Sequence, residues 1–87
     1  MLKKERYTMN TYRLIKFLDM DRAVLKRNGK TYVASFADVH GSGPEVLVFP
    51  ATTNGTITDW SEVDGGRGYT SLQDFLSQAL LNTNRYQ

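Results

Sequence analysis

The sequence predicts a small α+β domain, in which an antiparallel meander sheet of four to five strands packs on one C-terminal amphipathic helix. The dipeptide Asn28-Gly29 lies between two segments of strand-like composition, a pattern typical of a tight β-hairpin. Apolar residues then recur at helical spacing over residues 72–80. The helix stripe and one sheet face each need an apolar partner, so a two-layer arrangement buries both.

Residues 11–18 are open to two interpretations, of which a strand is favoured. A strand would place the even-numbered residues from Tyr12 to Leu18 on one face, whereas a helix would group Leu14, Ile15 and Leu18. The hairpin that follows is better defined, because its Asn-Gly turn sets the register of the two strands. Its predicted buried face consists of Leu25, Tyr32, Ala34 and Phe36.

The second half of the chain predicts two more strands and the helix. Residues 45–49 form a strand that Pro50 ends or places near an edge, and residues 56–60 return after a turn. Residues 64–68 are rich in glycine and are predicted to be a loop. Thr70 and Gln73 fit a capping box at the start of a helix of about three turns. The apolar stripe of this helix consists of Leu72, Phe75, Leu76, Ala79 and Leu80.

The length of 87 residues supports a single domain. We expect a flexible basic arm at residues 1–10, one α+β domain over residues 11–82 and a polar tail at residues 83–87. The chain contains no cysteine and a single histidine, which excludes disulfide frameworks, thiol nucleophiles and multi-histidine metal sites. The longest apolar run has four residues and no secretory signal is evident, so a cytoplasmic location without a membrane segment is expected.

Charge is distributed unevenly along the chain. Residues 1–30 hold nine basic and three acidic side chains, a net +6, whereas residues 31–87 hold two basic and six acidic ones, a net −4. Such a chain can offer a basic surface to nucleic acid or an acidic surface to a basic protein. It can also pair with itself, so a homodimer is compatible with this pattern.

The candidate protein-binding residues surround the single tryptophan. Tryptophan is enriched at the energetic centres of protein interfaces, and an acidic rim favours a basic partner. The alternative is that the tryptophan packs in the core beneath the helix. The candidate residues are Trp60, Glu62, Asp64 and Arg67.

The candidate nucleic-acid-binding residues cluster around the first hairpin. Lysine and arginine neutralise phosphates, and aromatic residues on a sheet, here Tyr12 and Tyr32, can stack on bases. The alternative is a solvated hairpin tip with the aromatic rings in the core. The candidate residues are Lys16, Arg22, Lys26, Arg27, Lys30 and Tyr32.

Residues 45–62 combine an apolar strand, an Asn-Gly turn and a Thr-Asp-Trp segment, and a Gly-Tyr-Thr-Ser segment and the helix follow. Over residues 22–82 this arrangement resembles small uncharacterised reading frames of bacteria and their phages. In size and style the chain is also similar to anti-CRISPR proteins, and this resemblance implies a stoichiometric inhibitor without a cofactor. It carries no residue roles, because it consists of turn chemistry.

The sequence therefore predicts a small non-catalytic protein-binding module. The resemblance implies an inhibitor, of phage or mobile-element origin, of a host nucleic-acid-handling or defence protein. The alternative is a protein that binds nucleic acid directly through a basic β-hairpin. No pattern of catalytic, cofactor-binding or metal-ligating residues is found, because His40 and the carboxylates at 59, 62 and 64 lack the surroundings that such sites need.

Overall fold

The computed structural model describes residues 12–80, which form a five-stranded antiparallel sheet and one helix. The strands follow one another in meander order as β1 (Arg13–Asp19), β2 (Arg22–Arg27), β3 (Lys30–Ala37), β4 (Glu45–Pro50) and β5 (Asp64–Gly66). Helix α1 (Leu72–Ala79) follows β5. This architecture confirms the predicted α+β class. The predicted arm, residues 1–10, and the predicted tail, residues 83–87, lie outside the described residues.

The first hairpin has the predicted register. Asn28 and Gly29 have φ values of 53° and 79°, as a turn with two positive φ angles requires. Leu25 lies opposite Tyr32, and both side chains are buried on the face that α1 covers. The Asn-Gly turn was therefore sufficient to predict which residues of the two strands lie opposite each other.

The segment before the hairpin is a strand, but its side chains do not alternate as the sequence suggested. The β1–β2 register shifts between Leu14 and Lys16, and again after Phe17. As a result, Lys16 lies opposite Val24 and Phe17 lies opposite Ala23. The prediction that the even-numbered residues share one face is wrong, because bulges change the face on which later residues lie.

The predicted strand at residues 56–60 is wrong, and the fifth strand lies in the glycine-rich segment instead. Residues 51–63 form a loop in which a single bridge pairs Ala51 with Ile57. The short strand β5 then pairs with residues 46–48 of β4. Gly65 has a φ of 124°, and a Cβ atom there would overlap the carbonyl oxygen of Val46. Only glycine permits this close approach of two backbones, so the strand has no side-chain pattern.

Helix α1 begins one residue later than predicted. Ser71 is the N-cap, and its hydroxyl oxygen accepts a hydrogen bond of 3.0 Å from the backbone N–H of Asp74. The carboxylate of Asp74 accepts one of 2.9 Å from the N–H of Thr70. The predicted Thr70–Gln73 capping box is thus replaced by Ser71 and Asp74, which have the same spacing. The predicted stripe is confirmed for Leu72, Phe75 and Leu76, which are buried. The helix has 8 residues, fewer than the predicted three turns, because the backbone becomes extended at Leu80.

Both faces of the sheet are covered. On one face, α1 packs over a cluster that includes Leu25, Ala34 and Val48. On the opposite face, called the loop face below, Val24 and Val33 are also buried. The loop 51–63 crosses this face, because Gly55 meets the side chain of Leu18 on β1 and Trp60 packs against Phe49 on β4.

We predict that Gly65→Ala lowers the free energy of unfolding by about 2–5 kcal/mol, because it combines backbone strain with overpacking against β4. The matched control is Gly43→Ala, since Gly43 also has a positive φ, 107°, but a Cβ there meets nothing within 4 Å. The control should cost only about 1–2 kcal/mol. Urea denaturation measures both changes, and equal losses would show that the contact with β4 has no effect.

Candidate functional site

Trp60 is exposed on the loop face. Its side chain is 73% exposed, and its ring packs edge-on against Phe49 with a centroid distance of 5.2 Å. Phe49 lies opposite Val33 and is buried, so Trp60 has a fixed support on the side of the sheet away from α1. Of the two alternatives that the sequence left open, packing beneath the helix is excluded.

Two hydrogen bonds hold the loop backbone on either side of this ring. The carboxylate of Asp59 accepts one of 2.9 Å from the N–H of Ser61, which closes a turn around Trp60. The N–H of Val63 donates one of 2.9 Å to the carbonyl oxygen of Val48 on β4. The tryptophan is therefore presented on a backbone that is attached to the central part of the sheet.

The residues around Trp60 form a mixed apolar and acidic surface. Val63 is 46% exposed, and Asp59 and Glu62 are exposed as well. Neither carboxylate makes an ion pair with a residue of the described range 12–80. We call this surface the Trp60 patch, and it consists of Asp59, Trp60, Glu62 and Val63.

Asp64, which the sequence grouped with Trp60, lies on the other side of the sheet. Its carboxylate accepts a hydrogen bond of 2.8 Å from the hydroxyl of Tyr12 and lies 3.6 Å from the guanidinium of Arg27. It lies opposite Val48, whose side chain belongs to the core beneath α1. Successive strand residues point to opposite faces, so Asp64 stabilises the fold and does not extend the patch.

Arg67 is engaged with a neighbouring loop. Its guanidinium donates hydrogen bonds to the hydroxyl of Ser42 at 3.0 Å and to the carboxylate of Glu45 at 3.4 Å. His40 also lies 3.6 Å from Glu45. These contacts fasten residues 40–45 to the segment after β5, and this gives Arg67 a structural role.

The aromatic residues proposed to stack on bases are buried. Tyr12 is 0% exposed and Tyr32 is 7% exposed, and their rings pack edge to face at 5.8 Å. Arg27 lies 4.6 Å above the Tyr12 ring and 5.4 Å from that of Tyr32. The assignment of Tyr32 and Arg27 to a nucleic-acid surface is corrected accordingly, because cation–π contacts and burial occupy them.

The remaining basic residues divide between the two faces of the hairpin. Arg22 is paired with Asp19 at 2.9 Å in the β1–β2 turn. Hydrogen bonds from the N–H of Asp21 and from the Arg22 side chain lower the pKa of Asp19 below its usual range. Lys30 lies opposite Arg27 on the side of α1. The charge of Arg22 is thus compensated by Asp19, and Lys30 lies on the opposite face from Lys16 and Lys26.

A compact basic group is left on the loop face. Arg13 lies directly opposite Lys26, and Lys16 lies opposite Val24, the next residue on that face of β2. All three cations are exposed, and none makes an ion pair with a residue between 12 and 80. We call Arg13, Lys16 and Lys26 the basic strip. The sequence analysis missed Arg13, because only the strand pairing brings it to Lys26.

Two features of residues 12–80 bear on whether they could form a reaction site. Within residues 12–80 no group of three histidine, cysteine or acidic side chains is placed to hold a metal ion. A groove of about 490 Å³ lies between the β1–β2 turn and the start of α1, and it is open to solvent. Its walls include Phe17, Met20 and Leu72. No helix among these residues is long and apolar enough to span a bilayer.

Comparison of the chain with protein-family models, with curated proteins and with solved structures finds no match. Inferences about function therefore depend on the geometry and chemistry of the Trp60 patch and the basic strip.

We predict that Tyr12→Phe lowers the free energy of unfolding by about 1–2 kcal/mol at neutral pH, because it removes the partly buried hydrogen bond to Asp64. Burial, followed by that hydrogen bond, raises the pKa of Tyr12 well above its ordinary value of 10.0. Below pH 10 both the folded and the unfolded chain keep this proton. Above pH 10 the unfolded chain loses it first, so wild-type stability falls by about 1.4 kcal/mol per pH unit from this group alone.

Chemical denaturation of the wild type and of Tyr12→Phe between pH 8 and pH 11.5 tests this prediction. The difference in stability between the two proteins should be constant up to about pH 10 and should shrink above it. Other tyrosines and lysines titrate in both proteins and cancel in the comparison. A difference that stays constant over the whole range would contradict the raised pKa.

Proposed function

We propose that this protein is a non-catalytic protein-binding module and that the Trp60 patch is its contact surface. The observation that carries the proposal is the 73% exposure of Trp60 on a loop that β4 holds in place. A tryptophan offers a large apolar area with few rotatable bonds, so a supported one loses little entropy on binding. Such anchors dominate the energetics of protein interfaces.

The chemistry of the Trp60 patch indicates which kind of partner surface would fit it. The apolar centre of Trp60 and Val63 fits an apolar pocket, and the carboxylates of Asp59 and Glu62 fit basic side chains around that pocket. The proposal includes a cytoplasmic location. It also includes a role as an inhibitor of phage or mobile-element origin, which binds a host nucleic-acid-handling or defence protein and blocks it. Such proteins carry basic surfaces, with which an acidic rim is compatible.

We predict that Trp60→Ala weakens partner binding at least about 30-fold and changes the free energy of unfolding by less than about 1 kcal/mol. The small effect on stability follows from the exposure of the ring, since a buried tryptophan would cost about 3–5 kcal/mol. Affinity capture from a bacterial lysate, followed by titration of the purified captured protein, measures the binding. Thermal melting measures the stability.

The matched control is Val39→Ala, because Val39 is also an exposed apolar residue, at 57%, but lies outside the patch. Proteins retained by the wild type and by Val39→Ala, but lost by Trp60→Ala, support the proposal if they survive nuclease treatment. Identical capture by all three proteins would refute it.

A second candidate function is direct binding of nucleic acid, favoured by the basic strip. Three exposed cations on one face can each neutralise a phosphate, and like charges on directly opposed residues are otherwise unfavourable. Because Tyr12 and Tyr32 are buried, they cannot stack on bases as the sequence predicted. Binding through the basic strip would then depend on phosphate contacts and be independent of the nucleotide sequence.

We predict for this second candidate that the affinity for a labelled single-stranded oligonucleotide falls by about two log units per tenfold rise in salt concentration. Lys26→Glu should weaken this binding more than Lys30→Glu, because Lys26 belongs to the strip and Lys30 lies on the side of α1. Fluorescence anisotropy at several salt concentrations measures both effects. Equal losses in the two variants would exclude the strip as the binding surface.

A further inference from the structure

The Trp60 patch and the basic strip have opposite charge and share the loop face. Lys26 lies on the same side of β2 as Val24, and Val24 lies opposite Val33, which in turn lies opposite Phe49. Phe49 is the residue that supports Trp60. One continuous row of cross-strand neighbours on the loop face therefore runs from β2, which carries Lys26, to Phe49 beneath Trp60.

The two surfaces do not neutralise each other within one molecule. Lys26 is on β2 and Phe49 is on β4, so two strand spacings, about 10 Å in total, separate their backbones. None of the ion pairs of residues 12–80 joins Asp59 or Glu62 to the strip. As far as residues 12–80 are concerned, each charge set is available to a complementary surface of another molecule.

We propose that this complementary surface is that of a second copy of the chain, in a two-fold symmetric dimer formed through the loop faces. The inference rests on the proposed function, because it takes the Trp60 patch as a protein-contact surface and names its partner. A two-fold axis between the patch and the strip places each patch on the strip of the other copy. Both contacts form at once, so no complementary surface is left to continue a chain of copies.

The contact accounts for two unfavourable features of the isolated chain. Arg13 and Lys26 are like charges on directly opposed residues, and the carboxylates of Asp59 and Glu62 from the other copy relieve their repulsion. The exposed ring of Trp60 meets a surface that carries an arginine, and guanidinium groups stack favourably on tryptophan. Because ion pairs at the rim contribute mainly to specificity, we expect the dimer to weaken as salt concentration rises.

Reciprocal charge reversals test the dimer with the full chain. Lys26→Glu lowers the charge of the basic strip from +3 to +1 and places an acidic side chain opposite the acidic patch. Glu62→Lys brings the charge of the Trp60 patch from −2 to zero and places a basic side chain opposite the basic strip. Each variant alone should therefore dimerise at least tenfold more weakly than the wild type. In a mixture of the two variants, the introduced acid faces the introduced base across one contact, and an unaltered strip faces an unaltered patch across the other. An equimolar mixture should therefore recover dimerisation as a heterodimer.

Sedimentation equilibrium over a range of protein and salt concentrations measures the association, and a fluorescent label on one variant identifies the heterodimer. Both substitutions are at exposed residues, and thermal melting checks that each variant is folded. Lys30→Glu is the control, since it reverses a charge on the other face and should leave the dimer unchanged.

Recovery in the mixture supports the proposal, because charge reversals elsewhere would not compensate each other in this way. A wild-type protein that stays monomeric at all concentrations, or a mixture that stays monomeric, overturns it. Trp60-dependent capture of a different protein by a monomeric chain would overturn the dimer and leave the proposed function intact. Retention of nucleic acid by a monomeric chain, lost in Lys26→Glu, would assign the strip to a polyanion and also overturn the dimer.

Discussion

The buried side chain of Tyr12 joins parts of the fold that the sheet hydrogen bonds leave separate. Its hydroxyl donates to Asp64 on β5, its ring packs against Tyr32 on β3, and its N–H donates to the carbonyl oxygen of Ala79 at the end of α1. In a flat sheet, four strand spacings of about 4.8 Å would put β1 and β5 roughly 19 Å apart, beyond the reach of a tyrosine. The hydrogen bond therefore requires Tyr12, which precedes β1, and Asp64 on β5 to approach each other, as the twist of a small sheet permits.

This cluster explains why residue types typical of binding sites have a structural role here. Arg27 lies over two tyrosine rings and beside Asp64, so its charge is compensated within the fold. The cost of placing a carboxylate and a guanidinium near the core is reduced because each has a hydrogen-bonding, ionic or aromatic partner. The charges of the Trp60 patch and of the basic strip lie on the loop face, away from α1.

The loop 51–63 determines which apolar groups remain exposed. It crosses the face on which Val24 and Val33 are buried, and it leaves Trp60 exposed beside Phe49. Strand β1 lies at the edge of the sheet and also keeps Leu14 and Phe17 partly exposed. Its two register shifts make regular pairing with another strand unfavourable, as is common for protected edges. The loop face is consequently better suited to specific recognition than this edge.

The sequence by itself determined the fold class, the register of the first hairpin and the buried stripe of α1, because Asn-Gly turn chemistry and side-chain periodicity act over a few residues. It also identified Trp60 and Glu62 as surface candidates, but it could not separate them from Asp64, which follows in the same acidic segment. Only the tertiary structure decided that separation, since the pairing of Asp64 with Val48 turns it toward Tyr12. The same holds for the β5 strand of glycines and for the meeting of Arg13 with Lys26. These depend on backbone approach and strand pairing between distant residues, which leave no local pattern.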